Sequence, residues 1–255
     1  MSKPFLASDV PVAFAHRGFS RRGLENSVPA FRAAVGLGFS YVETDLHTTA
    51  DGVLLVFHDA TLARVTDGEG DISALTAEQV SRARIGGTEA IPTFAELVAA
   101  LPGIRMNLDV KDAGSVPALA RAIEEFGLHE RVCVASFSDR RRRAVLKRLS
   151  RPVVSSAGRT RLVAFVFLGP WLPHPLLRRI LRDVDCIQVP VRYRGIRVVT
   201  GKSVARAHSL GLKLHVWTIN DAAQMHALFE LGVDGIMTDR ADLLAEVMRE
   251  RGYWV

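Results

Sequence analysis

The sequence predicts an α/β fold in one domain spanning 1–255: a (β/α)8 TIM barrel with a small insertion after its second strand, at about 47–92. Three observations lead there. Short apolar runs begin near 11, 40, 104, 131, 152, 185, 213 and 234, and each is followed by helical pattern. Strict alternation of strand and helix implies a parallel sheet, and eight units imply a closed barrel. A length of 255 residues suits one such domain. Finally, His16, Glu43, Asp45, Asp109, Lys111 and Trp217 all fall at the C-terminal ends of predicted strands. That rim is where such a barrel carries its active site. An open doubly wound sheet is the alternative, but no GxGxxG follows the first strand.

The elements follow in order. Val10–Ala15 is an apolar run that ends in His16-Arg17-Gly18, a strand and a turn. Ser27 to Leu37 has helical spacing, closed by Gly36 and Gly38. Ser40–Leu46 is the second strand. Asp51-Gly52 then turns the chain into Val53–Phe57, too soon for a parallel crossover, so this arm pairs antiparallel with the second strand. A helix begins at Thr76 within the insertion and another covers 93–101. Strand Ile104–Lys111 places Asn107, Asp109 and Lys111 on one face. Helix Val116–Phe126, strand Val132–Ala135, helix Asp139–Leu149 and the weak strand Pro152–Ser155 come next. The stretch 157–182 reads as irregular. Strands Cys186–Val189, Lys213–Trp217 and Gly235–Met237 alternate with helices Ser203–Leu210, Asp221–Leu231 and Ala241–Arg251.

The net charge is +6, mostly through arginine, which suits an anionic small substrate, an anionic membrane or nucleic acid. The run Arg140–Arg143 reads as a solvated helix face. Cys133 and Cys186 lie in apolar strands and read as buried free thiols. The first residues lack the apolar core of a signal peptide, so a cytoplasmic location is expected, and no run reaches a membrane span.

The chemistry concentrates between Val12 and Asp59. Glu43 and Asp45 are two apart on a strand and project side by side. Like charges at that distance call for a cation, and an all-oxygen pair suits Mg²⁺ or Ca²⁺ better than Zn²⁺. His16 and His58 bracket the pair and can supply a general acid and a general base. Arg17 and Lys111 suit phosphate oxygens, the arginine through a bidentate grip and the lysine as a point charge. The remaining histidines read as structural, His215 as a core residue one layer below Trp217.

HRG at 16–18, EN at 25–26, ExD at 43–45 and HD at 58–59, in that order and spacing, resemble the signature of the glycerophosphodiester phosphodiesterase family. Looser likeness continues through NLDVK at 107–111, HVWTIN at 215–220 and MTD at 237–239. The resemblance implies a metal-dependent phosphodiesterase that releases glycerol 3-phosphate and an alcohol from a small glycerophosphodiester. It implies that His16 and His58 are the acid–base pair. It places Asp109 where the family usually has glutamate as a third metal ligand. Trp217 matches the family's tryptophan, which stacks against the glycerol. Glu25 and Asn26 match its PEN, with Leu24 in place of proline, and are secondary candidates near the metal. The nucleophile is either the glycerol 2-hydroxyl or water.

Two other readings are carried forward. One is a lysophospholipase D-like enzyme at a membrane surface, with the apolar segment 162–172 as a lip of the barrel mouth and a peripheral membrane contact. The other is a non-catalytic basic module for nucleic acid or membrane. The converging carboxylates argue against nucleic acid as a partner. The sequence leaves the oligomeric state open.

Overall fold

A computed structural model describes residues 3–254. Its parallel strands are β1 (Val12–His16), β2 (Tyr41–Thr48), β3 (Arg105–Val110), β4 (Val132–Ala135), β5 (Val154–Ser155), β6 (Cys186–Pro190), β7 (Lys213–Trp217) and β8 (Gly235–Thr238). Their spatial order is β5-β4-β3-β2-β1-β8-β7-β6. A parallel bridge between Ser156 and Cys186 joins the two ends, so the sheet closes into the predicted barrel rather than an open sheet. Around it lie α1 (Val28–Gly36), α2 (Phe94–Ala100), α3 (Ser115–Glu125), α4 (Asp139–Leu146), α5 (His174–Ile180), α6 (Gly201–Ser209), α7 (Ala222–Glu230) and α8 (Ala241–Glu250). Most start at a side-chain cap. Ser27 accepts from the Ala30 amide, and Thr93 with Glu96 forms a capping box.

Alternate residues of each strand fill the interior in layers. At the N-terminal end Phe14, Tyr41, Cys133, Cys186 and Met237 pack together, and Phe5 plugs them from below. Cys133 and Cys186 are free thiols, Sγ to Sγ 3.9 Å. The layer above is polar. Gln188 donates to Asn107 Oδ1 at 2.8 Å, and the buried His215 packs on Phe14 with ring centroids 5.0 Å apart. Gly235 is required here, because a Cβ would lie 2.8 Å from Val12 Cγ2. The polar layer is the floor of the site.

The arm predicted after the second strand is present: Leu54–Val56 runs antiparallel to Leu46–Thr48. It opens an insertion with a small core of its own, built from Leu55, Phe57, Leu62, Ile72, Val80 and Ile85. Thr76 and Gln79 cap its one helix, Ala77–Val80.

Three expectations need correction. The stretch 157–182 is helical, not irregular: Arg159–Val163 is an α-helix, Ala164–Leu168 a π-turn, and α5 follows. Its apolar residues stand side by side, so helical periodicity is invisible in the sequence. In the π-turn the Gly169 amide reaches the Ala164 carbonyl at 2.7 Å, and a Cβ on Gly169 would lie 2.3 Å from the Phe165 carbonyl oxygen.

Nor does this segment form a lip. Only Leu162 reaches the cavity at the barrel mouth. Beyond it the chain descends the outer wall, burying Phe165 and placing His174 3.0 Å from the Ser209 carbonyl, at the far end of α6.

The arginine run is not wholly solvated either. Arg142 is completely buried, donating to the Asp183 carboxylate at 2.8 Å, the Asp183 carbonyl at 2.7 Å and Ser155 Oγ at 2.5 Å. It points inward from α4 because Asp183, before β6, waits there. Arg143 and Arg161 also reach Asp183.

This clamp should be visible in stability. Asp183→Ala leaves a buried cation short of its partner, which costs about 3 kcal/mol in denaturant unfolding at neutral pH. Burial alone would raise the Asp183 carboxyl, but the charges and hydrogen bonds of Arg142 and Arg143 together outweigh it and hold the group below its usual range. A depressed carboxyl stabilises the fold above its unfolded pKa, and that contribution is lost as pH falls through the folded value. Acidification should therefore destabilise the parent protein more than Asp183→Ala, closing the gap between their unfolding curves.

Candidate active site

The site begins where β1 ends. Arg17 and Gly18 both adopt left-handed backbone, φ 57° and 85°. A Cβ on Gly18 would lie 2.7 Å from the Ala30 carbonyl carbon, so only glycine lets the turn pack on α1. The Arg17 amide donates to the Glu43 carbonyl at 2.9 Å, which fixes His16 and Arg17 against β2. Parallel register then pairs His16 with Glu43, Glu43 with Asn107, and Asp45 with Asp109. All these side chains face the barrel interior, two layers deep. The insertion brings His58 over them.

An open cavity of about 180 Å³ results. His16, Arg17, Glu43, Asp45, His58, Asp109, Lys111 and Trp217 all line it, together with Phe137, Leu162 and Gln188. Glu25 and Asn26 do not. Glu25 sits behind Arg17, accepting from its Nη1 at 2.9 Å and from Arg64 at 2.6 Å. Asn26 is buried in the turn, where its Oδ1 accepts from Thr44 Oγ1 at 2.7 Å on the outer side of β2.

Each histidine is held by an aspartate. His16 Nδ1 lies 2.6 Å from Asp239 Oδ1, and its Nε2 lies 3.6 Å from Glu43 Oε2. His58 Nδ1 lies 2.5 Å from Asp59 Oδ1, and Asp59 is gripped in turn by Arg64. An Nδ1 bonded to carboxylate is the protonated nitrogen, which leaves Nε2 free toward the cavity. Asn220 donates to the other oxygen of Asp239 at 2.8 Å. Burial pulls the His16 pKa down, but Glu43 and Asp239 together raise it above its usual value. Sequence reasoning missed the orienting roles of Asp239 and Asp59. Both sat in quoted motifs, MTD and HD, yet only the tertiary fold shows which nitrogen they hold.

The carboxylates are crowded. Lys111 Nζ bridges Asp45 Oδ1 at 2.8 Å and Asp109 Oδ2 at 2.7 Å. Arg17 Nε approaches Asp45 Oδ2 at 3.0 Å, an ion pair without hydrogen-bond alignment. Burial would lower Lys111, but Asp109 and Asp45 raise it on balance. For Glu43, burial first and then the Asp45 charge push the carboxyl well above the usual range.

Turned onto these bases, the side chains do not converge: among the described residues no three His, Cys, Asp or Glu meet at metal-ligand spacing. Yet Glu43 Oε2, Asp45 Oδ2 and Asp109 Oδ1 are buried without a hydrogen-bond partner. Three orphaned carboxylate oxygens facing one cavity, all hard donors, fit a divalent cation such as Mg²⁺ or Ca²⁺.

Comparison with known proteins identifies the family. The model of the Glycerophosphoryl diester phosphodiesterase family matches residues 16–243. A Mycobacterium tuberculosis protein named probable glycerophosphodiester phosphodiesterase 2 is 41% identical over 98% of this chain and 95% of its own length. A glycerophosphodiester phosphodiesterase of Caldanaerobacter subterraneus is 30% identical over 94% of this chain and 99% of its own. Among solved structures, an Oleispira antarctica phosphodiesterase in complex with the product sn-glycerol-3-phosphate has a TM-score of 0.77 at 22% identity, covering 96% of this chain and 99% of that one. With the barrel, the ordered motifs and the family match over most of its length, the chain belongs to the glycerophosphoryl diester phosphodiesterase family.

Proposed function

We propose that the cavity hydrolyses glycerophosphodiesters to glycerol 3-phosphate and an alcohol, with a divalent cation held by Glu43, Asp45 and Asp109. The single observation that carries the reading is the pairing of two aspartate-held histidines with three orphaned carboxylate oxygens across one cavity. When bound, the cation supplies positive charge to the non-bridging phosphate oxygens.

Arg17 and Lys111 bind the same phosphate group from the rim. Both are already anchored by carboxylates, so they are oriented before substrate arrives. Trp217 packs edge-to-face against Phe137 with centroids 6.3 Å apart and gives the glycerol a flat wall. One histidine takes a proton from the attacking hydroxyl through Nε2. The other, protonated on both nitrogens, gives its Nε2 proton to the leaving alkoxide as the P–O bond to the alcohol breaks and the new one forms; where the glycerol 2-hydroxyl attacks, water then opens the cyclic phosphate to glycerol 3-phosphate. Asp239 and Asp59 hold the two rings in the tautomer this exchange requires.

A second reading, a lysophospholipid as the substrate, is favoured by Phe137 and Leu162. They give the cavity an apolar side next to Trp217, suited in polarity to the start of an acyl chain. A panel of glycerophosphocholine, glycerophosphoethanolamine and lysophosphatidylcholine separates the two.

Four outcomes are expected. Glu43→Gln or Asp45→Asn should abolish turnover while circular dichroism stays that of the parent. Excess EDTA should silence the parent until Mg²⁺ or Ca²⁺ is restored, and full activity in EDTA would dismiss the cation. His16→Ala and His58→Ala should each lower kcat by roughly 10²–10⁴-fold, the range for a positioned proton-transfer group. Their losses should not multiply in the double variant, because the two act as a unit. Asp239→Asn should lower kcat less than loss of His16 itself, with KM little changed. A KM effect alone would make Asp239 a binding residue.

A further inference from the structure

We propose that the β5–β6 sector of the barrel docks on an anionic lipid bilayer, so that the enzyme draws lysophospholipid from a membrane surface. Three observations converge on that sector.

The wall segment after β5 leaves Val163, Phe167, Leu168, Trp171 and Leu176 exposed, with Trp171 86% accessible. From the neighbouring strand β6 rises a short hairpin, Arg192–Tyr193 paired with Ile196–Arg197, which exposes Tyr193 and Ile196 at the rim. The bridge from Ser156 to Cys186 makes these two strands adjacent, so wall strip and hairpin belong to one side of the molecule. A helix that serves only the barrel turns its apolar stripe inward, as Ala164 and Phe165 do; the outward residues have no such use.

Charge names the occupant. Between Gly158 and Asn220 the chain carries eleven arginines and lysines against two acids, Asp183 and Asp185. Both acids are already taken, Asp183 by Arg142, Arg143 and Arg161, and Asp185 by Lys3. The exposed arginines at 178, 179, 192 and 194 are thus free to meet anionic head groups, while the aromatic and aliphatic side chains enter the interface. No helix of the described residues is long and apolar enough to cross a membrane, which makes this a surface contact. A second copy would set one cationic field against another across a two-fold axis. Nucleic acid would meet a strip of aliphatic and aromatic side chains where its partners are ordinarily polar.

The strip also reaches the chemistry. Leu162, at its upper end, lines the catalytic cavity beside Phe137. A lysophospholipid in the docked leaflet has its head-group phosphodiester near the histidines and its acyl chain along Phe137 and Leu162. This assignment of substrate rests on the phosphodiesterase reading of the cavity.

The test compares the parent protein, the double variant Phe167→Ser/Trp171→Ser and the charge reversal Arg178→Glu/Arg179→Glu. Each is sedimented with vesicles of phosphatidylcholine, with and without phosphatidylglycerol, and assayed on soluble glycerophosphocholine and on vesicle-borne lysophosphatidylcholine. The parent should sediment with phosphatidylglycerol vesicles only, and lose them at high salt. Both variants should bind at least tenfold more weakly and slow on vesicle-borne substrate, with glycerophosphocholine turnover unchanged. Parent protein that ignores anionic vesicles, or variants that bind as well as the parent, would overturn the proposal. So would a dimer in light scattering that Phe167→Ser/Trp171→Ser dissolves, since the strip then belongs to a second copy. Turnover of glycerophosphocholine by the parent tests the phosphodiesterase reading separately: its loss strikes that reading, whereas vesicle binding alone decides the docking.

Discussion

The constraint on which everything else depends is the repulsion among three carboxylates in the mouth of a barrel. Parallel register leaves no choice: once β2 and β3 pair with Asp45 opposite Asp109, and Glu43 lies one layer below, the negative charges share one small volume. In a medium of low dielectric such a cluster is tolerated only with positive charge among it. Arg17 and Lys111 supply that charge here and are half-buried to do so. The same two bases also line the cavity, so the charge that the fold requires is exposed to whatever enters it. Glu43 Oε2, Asp45 Oδ2 and Asp109 Oδ1 remain buried without a hydrogen-bond partner.

The histidines solve a second problem, which is direction. An imidazole over a carboxylate cluster would turn toward the nearest negative charge. Asp239 and Asp59 capture Nδ1 in each case and set the ring plane before substrate is present. The two orienting groups come from different places. Asp239 follows the last barrel strand, while Asp59 rides on the insertion and is fastened through Arg64 and Glu25 to Arg17. Glu25 is therefore a tie between the insertion and the barrel rather than a lining residue.

Much of this was readable from sequence because it rests on local rules. Short apolar runs alternating with helical pattern placed the barrel strands, and the Asp51-Gly52 turn fixed the arm as antiparallel. Two-residue spacing put Glu43 with Asp45 and Asp109 with Lys111 on inward faces, and the ordered motifs added His16 and His58. What was unreadable depends on contacts far apart in the chain. Arg142 looked solvated because its partner Asp183 lies 41 residues on. The wall segment looked irregular because a π-turn spaces its buried and exposed residues unlike an α-helix. Asn26 matched a motif whose local duty is to hold a left-handed turn, with φ 60°, and that duty keeps it out of the cavity.

The insertion's private core has a consequence for how this enzyme fails. His58 depends on a cluster around Phe57, Ile72 and Ile85 that is distinct from the barrel's own clusters. Damage there would loosen His58 while leaving Glu43, Asp45 and Asp109 on the barrel strands. The insertion and the barrel are thus packed around separate clusters, so a substitution in one core need not disturb the other. A lineage carrying this chain could accumulate changes in the insertion's core while the packing of the barrel stays intact.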